Sequence, residues 1–411
     1  MPQTDRDVIR ALAARVMDLA QQPVMSERAR LWTALHDLRG ERPMVLFETW
    51  SLEAFVTDDE LCCQDPLWRG VEHQLRWTIR HAEEVGDDLV IEPCWRLGWH
   101  ITASGYGIDI QSVGAADSEG GKHAYAFNHP VHTPADLDAL SPRTWQVDRT
   151  ASQQYAERLS DCFGDLLPVL LHGSCTFLPG LSAEVFRLIG NDNLLTWLYD
   201  EPQALHRLMA FLRDDRLAMY AWLEREGLLG LNNNSIIAGS GNPGYTTALP
   251  QTGYAGTARL RDLWVWMESQ ETTMISPEMF GEFFLPYLAA VGNAFGLVYY
   301  GCCEPVHDRW TLLRQAMPNI RAVSISPWCD MPYMAQALGR DYVFSRKPQP
   351  APISGVTPDW DTLRQDIDAT LDAAHGCNLE IIFRDVYRIH GDWPRLRRWV
   401  EMVRARSTAR V

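Results

Sequence analysis

Residues 302–307, Cys302-Cys303-Glu304-Pro305-Val306-His307, bring two adjacent thiols, a carboxylate and an imidazole into one short stretch. Soft thiolates with a carboxylate and an imidazole form a ligand set for zinc or a related metal. The plainer alternative is a pair of reduced cysteines followed by a surface acid and histidine, since cysteine is usually a small buried hydrophobe. The apolar run 295–300 leads directly into this stretch. It has the length and composition of a parallel strand covered on both faces, and α/β barrels place their chemistry at the C-terminal ends of such strands. Neighbouring strand residues face opposite sides, so Cys302 and Cys303 can serve one metal only if the strand breaks at Gly301.

Other polar residues also follow apolar runs. Glu48 follows 43–47, Glu92 follows 88–91 with His100 in the loop beyond, and His172 ends 166–171. Glu268, Gln270 and Glu271 cluster after Trp266. Glu48, His172, Glu268 and Glu271 are candidate acids and bases, with His100 and Gln270 as candidate substrate contacts. Each has the alternative of a solvated loop residue or helix cap. Arg346 and Lys347 end the run 342–345, where they would bind an acidic or phosphate-bearing group, or else make ordinary salt bridges.

The elements that must position these residues alternate along the chain. Residues 5–39 carry apolar side chains at helical spacing, and 65–84 read as another helix. Strands are predicted at 43–48, 88–93, 166–173, 235–239, 264–268, 297–300, 321–326, 341–345 and 380–383. Helices fill most of the gaps, including one opening at Ser276-Pro277 with a serine cap and a proline in the first turn. Strands alternating with helices predict a parallel α/β sheet, and this many units favours a (β/α)8 TIM barrel. No glycine-rich nucleotide fingerprint follows the first strand, which disfavours a doubly wound sheet. The expected organisation is an N-terminal helical extension over 1–40 and one barrel over 41–411. A loop-rich, glycine-bearing insertion over about 100–150 is a lid or β excursion.

The chain has 411 residues, 46% of them hydrophobic, with a formal net charge of −16. The first basic cluster comes only at Arg395-Leu396-Arg397-Arg398, which argues against a nucleic-acid partner. No apolar run approaches the roughly 18–20 residues of a membrane span, and the acidic start is unlike a secretory signal. Nine cysteines, including two adjacent pairs, suit reduced thiols better than a disulfide framework. A cytoplasmic protein is therefore expected; assembly as a homodimer stays open.

From about 165 to 400 the chain resembles the uroporphyrinogen decarboxylase superfamily of (β/α)8 barrels. The resemblance rests on Val169-Leu170-Leu171-His172-Gly173-Ser174-Cys175-Thr176-Phe177, on Leu194-Leu195-Thr196-Trp197-Leu198-Tyr199-Asp200-Glu201-Pro202, and on residues 275–287, Ile-Ser-Pro-Glu-Met-Phe-Gly-Glu-Phe-Phe-Leu-Pro-Tyr. The superfamily holds haem-pathway decarboxylases and zinc-dependent methyltransferases that serve corrinoid proteins. The decarboxylases carry an arginine-rich loop after the first strand. Here that place holds Glu48 and Glu53, so the methyltransferase-like branch is the nearer one. That branch reads His-x-Cys where this chain has Tyr300-Gly301-Cys302. The resemblance implies Cys302 as a metal ligand, with Cys303, Cys329 and Asp385 as candidates to complete the set. Tyr300, in the histidine's place, becomes a candidate substrate contact.

The resemblance thus implies a zinc-dependent methyltransferase or demethylase acting on a small molecule, with any corrinoid on a separate protein, because no Asp-x-His-x-x-Gly motif occurs here. One alternative is a metal-independent lyase or decarboxylase-like enzyme acting on a small natural-product or amino-acid-like substrate. Another is a barrel that binds a small molecule without turning it over. Fold resemblance identifies activity poorly.

Overall fold

The computed structural model describes residues 3–114, 125–173 and 180–409. The N-terminal segment forms two helices, α1 (Gln3–Ala20) and α2 (Pro23–His36), broken at Pro23, which starts the second. Ile9, Ala13, Val16 and Leu19 of α1 lie on one buried stripe at helical spacing. A third helix, α3 (Pro66–Arg80), is capped by Asp65, whose side chain accepts from the Leu67 amide.

Twelve strands follow in chain order. They are β1 (Met44–Phe47), β2 (Trp95–Leu97), β3 (His100–Ala103), β4 (Ser112–Gly114), β5 (Tyr125–Phe127), β6 (Trp145–Asp148), β7 (Val169–Leu171), β8 (Trp264–Met267), β9 (Leu297–Tyr300), β10 (Ile320–Ile325), β11 (Val343–Arg346) and β12 (Asn378–Phe383). Six build one parallel sheet in the order β1-β12-β11-β10-β9-β8. Helices link β8 through β12 in turn, so each parallel crossover is filled as such connections require. β2 pairs with β7 in a separate parallel ribbon. In the insertion, β3 pairs with β6 and β4 with β5, both antiparallel, so it is a β excursion.

Two predicted strands are not strands. Residues 88–93 form no strand, though the Asp88 amide bonds to the Val45 carbonyl and the Asp88 carboxylate accepts from the Val45 amide. Residues 235–239 hold only an isolated bridge, Ile237 to Pro243. Just before this segment, Asn232 bonds the Trp264 backbone through its side chain, accepting from the amide at 2.9 Å and donating to the carbonyl at 3.0 Å.

The sheet sorts its side chains by alternation. Val45, Phe47, Val265, Met267, Val298, Tyr300, Val323, Ile325, Phe344, Ile381 and Phe383 pack with helix residues such as Leu208, Phe280, Leu313 and Trp399. Leu46, Trp264, Tyr299, Ala322, Val343 and Ile382 join a second core with Ile9, Trp32 and Trp68 from the N-terminal helices. The second face is the one that carries polar residues further along each strand.

Candidate functional site

The polypeptide leaves β9 through Gly301, whose φ of +98° is open to glycine at little cost. This break lets two adjacent cysteines point the same way: Cys302 Sγ and Cys303 Sγ lie 3.6 Å apart. Several bonds hold the turn. Glu304, buried, accepts from the Cys302 amide and the Ser269 amide, both at 2.9 Å. Ser324 Oγ donates to the Cys302 carbonyl at 2.8 Å, and Trp266 Nε1 to the Gly301 carbonyl at 3.0 Å. The hydrogen bond between the thiols makes Cys303 easier to ionise and Cys302 harder.

Glu268 follows β8 and is buried beside this turn. Its Oε2 accepts from the Gln270 amide at 2.9 Å, while Oε1 has no hydrogen-bond partner among the described residues. Burial, then the neighbouring Glu304 and Glu271 carboxylates, push its proton affinity well above the usual carboxylate range. Burial raises Glu304 in the same direction. Glu271 accepts from Ser182 Oγ at 2.7 Å, and the exposed Gln270 only skirts the cluster.

A polar row crosses the second face of the sheet, the one that carries Tyr299 and Ile382. Lys347 Nζ donates to Ser345 Oγ at 2.5 Å, and Tyr299 hydroxyl meets the same Ser345 oxygen at 2.8 Å. Complete burial lowers the Lys347 ammonium to about 7 despite the pull of Glu380. Glu380, in β12, is fully buried, with Oε2 3.4 Å from His36 Nε2. Arg384, just past β12, sits 3.1 Å from Glu48 Oε2, in an ion pair not aligned as a hydrogen bond, and donates to Ser240 Oγ. Burial raises Glu48 despite Arg384.

Cys302, Cys303, Glu268, Glu271, Glu48 and Lys347 therefore all follow the C-terminal ends of parallel strands, β8, β9, β11 and β1. The other sequence candidates go elsewhere. Tyr300 points into the helix layer, where its hydroxyl is buried without a partner among the described residues. Arg346 also faces outward, 2.6 Å from Asp366 and 3.2 Å from Thr370 Oγ1. The same one-residue phase puts Tyr299 and Lys347 on the opposite face. His100 lies exposed on β3, stacked on Tyr155. His172 lines a different cavity, of about 630 Å³, with Glu92, Arg96, Trp95 and Trp99. Burial, then Arg96, lowers its proton affinity, and its ring fills the space against Gly230.

The proposed zinc ligands can be tested on distance. Zinc–sulfur bonds of about 2.3 Å at near-tetrahedral angles put two sulfurs roughly 3.6–3.8 Å apart, which Cys302 and Cys303 meet. Cys329 Sγ instead accepts from the Val306 amide at 3.4 Å and lies 3.6 Å from Ser326 Oγ. Asp385 has a left-handed backbone, φ +61°, and a carboxylate 3.8 Å from Arg384 Nε. Among the described residues, no group of three or more His, Cys, Asp or Glu side chains is gathered as metal ligands. Of Cys302, Cys303, Cys329 and Asp385, the first two stand at a spacing that suits one shared zinc, which leaves such a site open.

Arg384, Tyr299, Glu380 and Ser240 escaped the sequence reading. Arg384 had a usable signal, a basic residue directly after the last apolar run. Glu380 had none, because an acid inside an apolar strand reads as a pairing outlier until its histidine is known. No family model matches the chain, and no curated protein matches it. No described helix is long and apolar enough to cross a membrane.

Proposed function

We propose that the chain is an enzyme of the (β/α)8 type that performs acid–base chemistry on a small amino-acid-like substrate, in the manner of a lyase or decarboxylase. Barrel closure is supported by the bonds that bridge the two sheet edges. Asp88 covers β1, β2 pairs with β7, the Gly230 amide bonds the Gly173 carbonyl, and Asn232 covers β8. The resemblance in residues 165–400 points the same way.

The observation that carries the reading is Glu268. A buried carboxyl with one oxygen unbonded among the described residues, crowded by Glu304 and Glu271, holds its proton more tightly than an ordinary carboxylic acid. Its Oε1, unpartnered among the described residues, is the candidate proton donor. Cleavage that leaves an electron pair on the substrate would be quenched by that proton, and solvent would return it. Arg384 is the cation for a substrate carboxylate, and the Glu271 side supports an ammonium group. A panel of small amino acids and related carboxylic acids, assayed for release of carbon dioxide or amine, tests this. Turnover lost in Glu268→Gln supports it. Ligand-induced stabilisation with no turnover in the parent chain would favour a binding barrel instead.

The zinc-dependent methyl transfer implied by the resemblance has one observation on its side, the spacing of Cys302 and Cys303. A separate corrinoid protein belongs to that reading alone. Near-stoichiometric zinc in purified protein, together with corrinoid-dependent methyl transfer, would replace the acid–base reading.

A further inference from the structure

The chain contains two Cys-Cys pairs that are indistinguishable as sequence, Cys62-Cys63 and Cys302-Cys303. In space they differ. Cys62 is exposed, with its thiol toward the Glu60 carbonyl and Arg76, whereas Cys63 is buried with its thiol toward the Asp5 carbonyl. Those two sulfurs point apart, as successive residues of an extended chain do. Cys302 and Cys303 converge to 3.6 Å, both remain partly open to solvent, and Glu304, Ser324 and Trp266 hold their turn from three sides.

We propose that Cys302 and Cys303 form a preorganised dithiol clamp for a thiophilic centre with two open valences, the chemistry of a trivalent arsenical. Two protein sulfurs satisfy such a centre, so the absence of a gathered third and fourth ligand among the described residues is no obstacle. Closing the pair to a disulfide is the poorer alternative. Disulfide geometry favours Cα atoms more than about 4.4 Å apart, whereas adjacent residues across a trans peptide stand at about 3.8 Å. A bridging atom relieves that strain, because the sulfurs stay at the separation they already have.

The capture step balances without an oxidant. With phenylarsine oxide, both S–H bonds break and two As–S bonds form. The oxygen leaves as water carrying both thiol protons, and arsenic stays trivalent.

The test uses the full reduced chain and phenylarsine oxide, followed by intact mass and by competition with a small dithiol. One equivalent should bind tightly. Cys302→Ser and Cys303→Ser should each weaken capture by roughly 100-fold, the loss expected when a second, intramolecular bond is removed. Cys62→Ser should leave it unchanged. Protection mapping on the unaltered chain avoids any folding defect in the variants: the arsenical should shield Cys302 and Cys303 from alkylation together. Shielding of one alone, or tight capture that survives both substitutions or falls with Cys62, would overturn the assignment.

Discussion

Arg384 Nε stands 3.1 Å from Glu48 Oε2, joining the turn after the last strand to the turn after the first. Because β1 and β12 are neighbours in register, Phe47 beside Phe383, residues one step beyond each strand meet on the same face of the sheet. Both side chains are buried, so removing one strands the other's charge. Arg384→Met should cost roughly 3–5 kcal/mol in urea denaturation. Adding Glu48→Gln should recover most of that loss, and simple additivity of the two costs would show that the pair is not coupled.

The Glu268 carboxyl holds its proton more tightly folded than unfolded, through burial and then the neighbouring acids. Its contribution to stability is therefore fully present below the unfolded value near 4.5 and is lost as pH rises through the folded value. Glu268→Gln should melt close to the parent chain in acid and above it at neutral and alkaline pH. A melting difference that stays constant from pH 4 to 9 would contradict this.

Lys347 has the opposite sign. Its ammonium falls from 10.5 to about 7 through burial, so folding stability rises with pH across that window. At or below pH 7 burial of the charge costs on the order of a few kcal/mol, offset in part by Glu380. Lys347→Met should stabilise the fold at neutral pH, with the gain fading toward pH 10.5. Thermal melts of the two proteins at matched pH would show it.

A Cβ on Gly230 would lie 2.4 Å from His172 Cε1. Gly230→Ala should therefore destabilise by about 1–3 kcal/mol through overpacking. Pairing it with His172→Ala should remove the clash and recover part of the loss. If Gly230→Ala alone leaves the denaturation midpoint unchanged, the ring is not held where the structure puts it.

Arg346 and Lys347 show where sequence reading stops. Both read as basic residues ending a strand, each a candidate for the anion-binding position there. Only one can face it, because consecutive strand residues alternate. Arg346→Met should therefore destabilise, through loss of the Asp366 and Thr370 contacts, by about 1–3 kcal/mol, and leave binding of small carboxylates at the mouth unchanged. Weakened ligand binding without loss of stability would reverse the assignment. Tyr299 and Tyr300 pose the same choice, and β9 resolves it toward Tyr299.

The sequence by itself determined the parallel α/β pattern, because buried strands are near-continuous apolar runs and the helices between them keep a 3.6-residue stripe. It also located the turn after β9, since glycine followed by two cysteines and an acid interrupts an apolar run. Tertiary structure alone decided which of two adjacent residues lies on which face of the sheet, that residues 88–93 and 235–239 form no ladder, and that Cys329 lies in its own hydrogen-bonded turn. Strand phase and register depend on partners far away in the chain. Glu380 meets His36, and Arg384 meets Glu48, only after the sheet has brought its first and last strands together.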